Sequence, residues 1–265
     1  MDRLWESARY RLERAAAAGL HVVTYFDELY PEKLRHISRP PHVLYCRGSL
    51  DALRHEKALA IVGTRSPSQY GQEVARRAAQ AAIRAELTVV SGLAIGIDTS
   101  ALAAAAKLRR PAIAILANGL DRIYPAENEW LAHRLLEEGG CLLSENPPGT
   151  EARPDLLVER NRIQTGMSDG VFLVESNLRG GSMRTARFAI LQGRPLSCLA
   201  HPQKWADHKA AQGPRKLIKD GKAIPISDRA DLQDFLERFR PRPAELSIAA
   251  DLSHPPDQAT TDLCP

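Results

Sequence analysis

The sequence predicts an α/β fold built on an open, doubly wound, mainly parallel sheet. Short apolar runs recur between about Lys57 and Ile226, and segments with helical spacing separate them. Each run has four to six residues rich in Val, Ile, Leu and Ala, a pattern typical of strands buried on both faces. Helices at regular intervals between such strands imply right-handed crossovers. In such sheets ligands bind outside the carboxyl ends of the strands, so the residues that follow each run are the candidates for a site.

The predicted strands divide the chain into three regions. In chain order they are ALAIVG, LTVVSG, AIAILANG, GCLLSE, GVFLVES and RPLSCLA, and we place them in a domain of residues 57–228. Residues 1–56 are predicted to form a small N-terminal helical and extended unit, because an Ala-rich helical pattern is followed by short strands and by Pro40 and Pro41, which exclude helix. Residues 229–265 are predicted to be a short helix and a mostly disordered, proline-rich tail.

Composition excludes several classes of protein. The four cysteines are scattered without a CxxC pair, so neither a zinc site nor a disulfide framework is indicated. No apolar run approaches the roughly 20 residues that span a bilayer, and no signal-peptide pattern opens the chain. We therefore expect a cytoplasmic protein without metal, cofactor or membrane association. The net charge of +4 permits a polyanionic partner without requiring one.

The turn after the first predicted strand is a candidate anion site. Gly63, Thr64 and Arg65 lead through a short polar stretch into a helix, and backbone amides at such a turn can bind phosphate with a guanidinium as a second donor. The spacing is neither G-x-G-x-x-G nor a Walker loop, so neither a dinucleotide fingerprint nor a P-loop is indicated. The alternative is an ordinary turn with a solvated arginine.

Two further strand ends carry glycine and acidic residues. Gly92 and Gly96 in SGLAIGID permit a close approach of backbone to ligand. Asp98 in the same segment is either a ligand contact or a helix cap. Asp121, after the third strand, either contacts a ligand or holds its own loop.

Arginines dominate the remaining strand ends. Arg160, Asn161 and Arg162 open a predicted helix, where cations oppose the macrodipole and so suggest another task. That task is either ligand binding or ion pairing; the candidate ion-pair partners are Glu145, Asp155 and Glu159. After the fifth strand, the segment RGGSMRTAR forms a second glycine turn that feeds a helix and suits phosphate.

The ordered series of these motifs resembles the DprA/Smf family of DNA-processing proteins. The motifs are GTRxxxxYG, SGLAxGID, NGLDxxYPxxN, LLSE, RNRI and GGSxxTA, and the similarity extends over roughly residues 30–226. Each motif alone is weak, whereas their ordered succession is specific. The resemblance implies an extended Rossmann-like fold and a homodimer that binds single-stranded DNA, assists loading of the RecA recombinase, and catalyses no reaction.

The resemblance and the residue chemistry together nominate one set of phosphate-binding candidates. Single-strand binders combine a cationic groove with close backbone approach to phosphate. The candidates are Gly63, Thr64, Arg65, Gly92, Arg160, Asn161, Arg162, Gly181, Ser182, Thr185 and Lys216.

The sequence also departs from the family pattern. Leu157 stands where the family has an aromatic residue able to stack on a base, and Leu102 stands in place of a histidine. The segment GPRKLIKDGK adds basic residues, of which Lys216 is one, and these are expected to offset part of the lost stacking. We expect a divergent member without a C-terminal winged-helix domain.

Two other functions remain as alternatives. One is a nucleotide-binding enzyme or sensor of the phosphoribohydrolase-like type, in which Glu145 or Asp98 would act on a nucleoside monophosphate. The closest text to the signature PGGxGTxxE of those enzymes is RGGSMRTARFA, which lacks its proline and glutamate. The other alternative is a scaffold or regulatory protein whose pocket is vestigial.

Overall fold

The computed structural model describes residues 2–55, 57–205 and 207–239. The helices are α1 Asp2–Ala17, α2 Glu32–Arg35, α3 Gln69–Arg84, α4 Ile97–Lys107, α5 Glu129–Glu137, α6 Pro154–Glu159, α7 Asn161–Gly166, α8 Gly181–Leu191, α9 Gln212–Lys219 and α10 Arg229–Glu237. The strands are β1 His21–Thr24, β2 Val43–Gly48, β3 Ala58–Val62, β4 Thr88–Ser91, β5 Ala112–Ile115, β6 Cys141–Ser144, β7 Gly170–Leu173, β8 Leu196–Leu199 and β9 Ile224–Ile226. The predicted tail from residue 240 lies outside the described residues.

The strands form one nine-stranded sheet in the order β1-β2-β6-β5-β4-β3-β7-β8-β9. The seven strands from β3 to β9 pair in parallel, and helices connect them. The chain lays β4, β5 and β6 on one side of β3 and then returns to place β7 on the other. This reversal of strand order opens a crevice beside the carboxyl end of β3. The predicted doubly wound, mainly parallel α/β fold is confirmed, and it is Rossmann-like.

The N-terminal segment extends the same sheet. Strand β2 pairs antiparallel with β6, and β1 pairs antiparallel with β2. The sequence did not locate these two strands individually, since β1 pairs with β2, and the other partner of β2, β6, lies about a hundred residues further along the chain. The division at residues 56 and 228 into three domains stays a prediction; the geometry shows only that the first region and the doubly wound region share one sheet.

Both faces of the parallel strands are buried, which explains their uninterrupted apolar runs. On β3, Leu59 and Ile61 pack into a cluster with α3 and α4, whereas Ala60 and Val62 pack on the opposite face with α8 and α9. Between α3 and α4 the contact is made mainly by alanines, and such small side chains let the helices approach closely; those buried on α3 are Ala75, Ala78, Ala79 and Ala82. The core therefore holds the carboxyl ends of β3, β4 and β7 in fixed positions.

Three of the four cysteines fall in the described part of the chain. Cys46, Cys141 and Cys198 are buried and form no disulfide, whereas Cys264 lies outside it. Within the described ranges, no cluster of three or more His, Cys, Asp or Glu side chains is arranged to hold a metal ion. No helix of the same residues is long and apolar enough to cross a membrane.

Candidate functional site

A cavity of about 300 Å³ occupies the crevice where the strand order reverses. The turns after β3, β4 and β7 form three of its walls, and the segment from α6 to α7 closes the fourth. It gathers eight of the eleven residues that the sequence nominates. These are Gly63, Thr64, Arg65, Arg160, Asn161, Gly181, Ser182 and Thr185.

The turn after β3 is fixed by its backbone. The Thr64 amide donates to the Glu175 carbonyl at 2.7 Å, and the Thr64 carbonyl accepts from the Ile97 amide at 3.2 Å. A Cβ on Gly63 would lie 2.4 Å from Cγ1 of Ile97, so only glycine permits this packing. The turn leaves Arg65 exposed at the cavity wall. Among the described residues, Arg65 forms no ion pair or hydrogen bond through its side chain.

A buried carboxylate supports the start of α3 behind this turn. Glu175 accepts hydrogen bonds from the Ser68 amide at 2.8 Å and the Ser68 hydroxyl at 2.6 Å, and its Oε1 lies 3.3 Å from Nε2 of His201. Burial acts to raise its pKa, but the hydrogen bonds from His201 and Ser68 outweigh burial and hold the pKa of Glu175 below its usual value. A Cβ on Gly71 would lie 2.4 Å from this carboxylate. Gly71, the last residue of the motif GTRxxxxYG, therefore has a structural role, because no larger residue fits beside Glu175.

Arg160 is the buried cation of the cavity. It is 5% exposed, and its Nη1 donates to the carbonyl of Ile115 at 2.9 Å, while its Nε has no partner among the described residues. The guanidinium lies against Gly92, where a Cβ would be 1.5 Å from Nη1. Burial lowers the pKa of Arg160, the nearby carboxylate of Asp98 opposes that change, and the positive charge of Arg65 adds to it. An arginine nevertheless stays charged in proteins.

Asp98 is also buried, but its role is mainly to shape the loop. Its Oδ2 accepts hydrogen bonds from the amides of Gly92 at 3.0 Å and Ala94 at 3.4 Å. These donors precede the carboxylate, whereas the cap position of α4 is occupied by Gly96. Burial raises the pKa of Asp98, and Arg160 opposes that rise. Asp98 lines the same cavity and its charge acts on Arg160, but the two side chains form no ion pair within 4 Å.

The start of α8 forms the opposite wall. The first amides of a helix have no partner within the helix and carry partial positive charge, and here Gly181 and Ser182 of the first turn line the cavity. A Cβ on Gly181 would meet nothing within 4 Å, so this position faces open space. The Ser182 hydroxyl donates to the hydroxyl of Ser176 at 3.1 Å. Thr185, one turn further on, is buried at the back of the wall.

Sequence reasoning missed two polar residues of this cavity, Gln164 and Ser176. Gln164 lies one helical turn after Arg160, lines the cavity, and is 2% exposed. Its Nε2 has no hydrogen-bond partner in the part of the chain that the structure describes. A spacing of four residues from Arg160 within a helix was the available signal, since residues so spaced share a face. Asn161 is likewise buried at the cavity wall.

Three nominated residues lie elsewhere. Gly92 lines an adjoining pocket of about 170 Å³, which shares Arg65 and Arg160 with the cavity. Arg162 forms a two-pronged ion pair with Glu145, with N–O distances of 2.8 Å and 2.5 Å; this is one of the pairings that the sequence left open. Lys216 is exposed on α9 and pairs with Asp220 at 3.0 Å.

The structure also places three other residues that the sequence analysis discussed: Asp121, a possible ligand contact, and Leu102 and Leu157, which differ from the family pattern. Asp121 accepts a hydrogen bond from the Gly149 amide at 2.7 Å. It therefore connects its loop to the loop after β6, and this bond is not the Asx-type turn within its own loop that the sequence offered as one alternative. Leu102, at the family's histidine position, is fully buried. Leu157, at the family's aromatic position, lines both the cavity and the adjoining pocket.

Unpaired positive charge surrounds the cavity. Arg65 at one wall has no carboxylate partner among the described residues, and the same holds for exposed arginines near the start of α8, namely Arg179, Arg184 and Arg187. Away from the cavity, Arg76 and Arg77 of α3 pair with Glu73, and Arg134 of α5 pairs with Glu137 and Glu138. Backbone amides and unpaired guanidinium groups together form a site for an anion, above all a phosphate.

Known proteins share both the sequence and the fold. The model of the family described as DNA recombination-mediator protein A matches residues 21–239. Protein Smf of Escherichia coli is 38% identical over 217 residues, which are 82% of this chain and 57% of that protein. DNA processing protein DprA of Bacillus subtilis is 38% identical over 219 residues, 81% of this chain and 72% of that protein.

Two solved structures resemble this fold. The structure of DprA from Streptococcus pneumoniae matches with a TM-score of 0.75 and 31% identity, over 84% of this chain and 75% of that one. A study of the single-stranded DNA binding mode of DprA from Helicobacter pylori provides the second, with a TM-score of 0.72 and 27% identity, over 83% and 96% of the two chains.

The match covers most of this chain but not all of its relatives. The chain spans 57% of the Escherichia coli protein. The family model, in contrast, covers all nine strands of the sheet and every residue that lines the cavity. The chain therefore belongs to the DNA recombination-mediator protein A family and is similar to proteins named Smf and DprA.

Proposed function

We propose that this chain binds single-stranded DNA through the cavity at the reversal of strand order. The observation that carries the proposal is the pair Arg65 and Arg160, two guanidinium groups at one cavity with no carboxylate in contact. A buried cation without an ion-pair partner is costly, and a phosphate would supply the missing charge. The Helicobacter pylori relative is described by its single-stranded DNA binding mode, which supports the choice of ligand.

The shape of the site favours a strand over a duplex. The cavity has Gly181 and Ser182, at the start of α8, on one wall and Arg65 on the other. A phosphate in contact with both walls must enter deeply, and a single strand can present its backbone in this way more easily than a stiff duplex. Binding of this kind is expected to fall steeply with salt, since each neutralised phosphate releases counterions.

Binding of fluorescent oligonucleotides at two salt concentrations tests the proposal. The double variant Arg65→Ala, Arg160→Ala should bind single strands about 100-fold or more weakly, since a hydrogen bond to a charged group contributes about 1.5–3 kcal/mol. Its salt slope should fall by about 0.7, the value for one neutralised phosphate on a single strand, since both arginines are proposed to contact the same phosphate.

A matched control removes the same charge elsewhere. Arg76 and Arg77 on α3 pair with Glu73, away from the cavity, so the variant Arg76→Ala, Arg77→Ala should bind nearly as the unmodified protein does. If both double variants lose the same amount of single-strand affinity, binding depends on the net charge of the protein and not on this cavity. Tighter binding of duplex than of single strands would contradict the proposal outright.

We further propose that the bound strand is delivered to a RecA-type recombinase in the cytoplasm, by a homodimer. The family description as a recombination mediator supports this step. The test is recombinase filament formation on single strands coated with single-strand-binding protein, with and without this protein. Acceleration that the Arg65→Ala, Arg160→Ala variant lacks is the expected result, and sedimentation of the free protein measures its oligomeric state.

We also propose that the protein is not an enzyme. The two carboxylates that a nucleotide-cleaving site would use are already engaged, Glu145 by Arg162 and Asp98 by two backbone amides. Incubation with nucleoside monophosphates should therefore release no base. Release that Glu145→Gln abolishes would restore the enzymatic alternative.

A further inference from the structure

Helix α1 carries an apolar surface that the fold does not use. Every residue from 4 to 13 is exposed, whereas Ala15 is fully buried in the core. The match to the family model begins at residue 21, so α1 precedes it. The large apolar and aromatic side chains exposed on this helix are Leu4, Trp5, Tyr10 and Leu12.

Most of these side chains lie on one side of the helix. With 3.6 residues per turn, each side chain is rotated by about 100° from the one before it. Four exposed residues therefore share one side, which leads along the helix to the buried Ala15. We call these four the α1 stripe; they are Leu4, Trp5, Ala8 and Leu12.

Positive charge borders the α1 stripe on both sides. The same rotation places Arg9 at one border and Arg11 at the other, whereas Glu6 and Glu13 lie on the far side of the helix. Both arginines are exposed, and neither forms an ion pair with another described residue. The surface therefore combines apolar side chains with cations that no carboxylate neutralises.

Trp5 presents a free aromatic ring at the centre of this charge. The residue is 73% exposed, and its ring makes no stacking, edge or cation–π contact with any other described residue. The Tyr10 ring, in contrast, already has the guanidinium of Arg14 at 5.8 Å. Arg9 follows Trp5 by four residues, so the two side chains are neighbours on the helix surface. An exposed ring beside cations is the arrangement by which single-strand binders stack a base and hold its phosphate.

The last turn of α1 is attached to the edge of the sheet at which the cavity lies. Nη2 of Arg14 is 3.8 Å from Oδ2 of Asp121 in the loop after β5, and the guanidinium lies against Gly149 in the loop after β6. Tyr124 and Pro125, in the same loop as Asp121, line the pocket that adjoins the cavity. The exposed residues of α1 extend from this attachment by roughly 15 Å, at a rise of 1.5 Å per residue. A strand that leaves the cavity across this loop can therefore reach the α1 stripe.

The charge on α1 favours a polyanion over a second copy of the chain. If two α1 stripes packed against each other, the bordering arginines of both helices would be brought together, and like charges at such positions are destabilising. Phosphates of a strand would instead be attracted to Arg9 and Arg11, while its bases meet the ring of Trp5.

We propose that the exposed half of α1 is a second contact for the same DNA strand, in which a base stacks on Trp5 and neighbouring phosphates lie at Arg9 and Arg11. The inference rests on the proposed binding of single-stranded DNA in the cavity and extends the path of the strand beyond it. The contact is independent of base sequence, since every base has a face that can stack.

Thymidine oligomers of two lengths test the second contact. Domains that bind single strands cover about 4–16 nucleotides, so an oligomer of about 5 nucleotides fills the cavity alone, whereas one of about 20 also reaches α1. Trp5→Leu should bind the long oligomer roughly 5- to 150-fold more weakly, which corresponds to stacking of about 1–3 kcal/mol per base. The same variant should bind the short oligomer as the unmodified protein does, and Trp5→Phe should keep most of the affinity for both.

The salt dependence tests the two arginines in the same way. Arg9→Gln, Arg11→Gln should lower the salt slope on the long oligomer by about 1.4, since each of two phosphates contributes about 0.7 on a single strand. Its slope on the short oligomer should not change.

A control variant comes from another helix. Trp130 is 57% exposed on α5 and lines neither the cavity nor the adjoining pocket, so Trp130→Leu should bind both oligomers normally. Thermal unfolding of each variant shows that differences in binding are not differences in folding.

The outcomes separate the second contact from the cavity. If Trp5→Leu binds the long oligomer as the unmodified protein does, or weakens both oligomers equally, the second contact is overturned. Normal binding of the short oligomer by the unmodified protein leaves the cavity in place in either case. If the unmodified protein binds neither oligomer, the proposed function fails, and the second contact fails with it.

Two further measurements identify a different occupant of the α1 stripe. Sedimentation of the free protein detects a second copy, and flotation with phosphatidylglycerol vesicles detects a lipid surface. Self-association or vesicle binding that Trp5→Leu abolishes, with unchanged affinity for the long oligomer, would assign the stripe to that occupant and overturn the DNA contact.

Discussion

Arg160 and Arg162 lie two positions apart at the start of α7, yet only Arg162 forms an ion pair. Arg162 faces the end of β6 and forms a two-pronged ion pair with Glu145. Arg160 faces the ends of β4 and β5, lies against Gly92 and hydrogen-bonds only to a carbonyl. One cation is already neutralised by the protein, and the other is available to a ligand.

The difference shows that the two arginines of one short motif can have different roles. A partly buried ion pair such as Arg162 with Glu145 fixes the entry into α7, because removal of either partner leaves a charge without compensation. Arg160 then reaches the cavity from a helix whose position is set. Arg162 therefore stabilises the fold and Arg160 is available to a ligand. Substitutions of the two residues should affect stability and binding separately.

The largest expected effect is the contrast between Arg160→Ala and Arg162→Ala. Arg160→Ala should weaken single-strand binding by about 10- to 150-fold, the equivalent of about 1.5–3 kcal/mol for a hydrogen bond to a charged group, with little change in stability. Arg162→Ala should lower the free energy of unfolding by about 1–3 kcal/mol, because Glu145 loses its partner, and change affinity only a few-fold. Anisotropy titration and urea unfolding measure the two quantities.

A second substitution controls this contrast. Removal of both partners, in the variant Arg162→Gln, Glu145→Gln, should recover part of the lost stability, because no charge is left unpaired. Loss of DNA binding in Arg162→Ala as great as in Arg160→Ala, at equal folding, would show that the two arginines are not divided in this way.

Gly92→Ala should produce the next largest effect, without removal of any charge. The added Cβ would lie 1.5 Å from Nη1 of Arg160, so the guanidinium must leave its present position. Because the obstructing atoms belong to the end of a flexible side chain, we expect near-normal stability and binding about 10-fold weaker. In an Arg160→Ala background the same substitution should cost nothing more, which a double-mutant cycle measures.

Glu175 offers a smaller effect through pH. The pKa of its buried carboxyl is held below the usual value, so the native state binds fewer protons than the unfolded chain at acidic pH. The stabilisation is complete above the ordinary glutamate pKa of about 4.3 and is lost as the pH falls below it toward the folded value. Urea unfolding at pH 7 and pH 4 measures this loss. In Glu175→Gln the free energy of unfolding should depend less on pH. If its pH dependence is unchanged, other carboxyl groups cause it.

The smallest effect is expected from Lys216→Ala. The residue is exposed on α9 and pairs with Asp220, and exposed pairs contribute about 0.2–1 kcal/mol at most. Single-strand affinity should change by less than about threefold. A loss comparable with that of Arg160→Ala would place the basic segment of α9 in the path of the strand, as the sequence alone suggested.

Much of the fold was predictable because it depends on local patterns. The strands from β3 to β8 follow from apolar runs, and the glycine turns after β3 and before α8 follow from turn chemistry. The position of β1 and β2 did not follow, because their pairing depends on β6, a partner distant in sequence. Gln164 was missed for a related reason, since the local sequence does not show whether a glutamine in a helix faces solvent or a cavity.

The sequence by itself determined which residues stand at the ends of the strands, because strand period and turn chemistry are local properties of the chain. Only the tertiary structure decided which of those ends meet. The placement of β3 between β4 and β7 brings Arg65 and Arg160 to one cavity, together with the start of α8. The same packing turns Arg162 toward Glu145 and moves Lys216 to the periphery. Such choices depend on contacts between residues far apart in sequence, which no local pattern records.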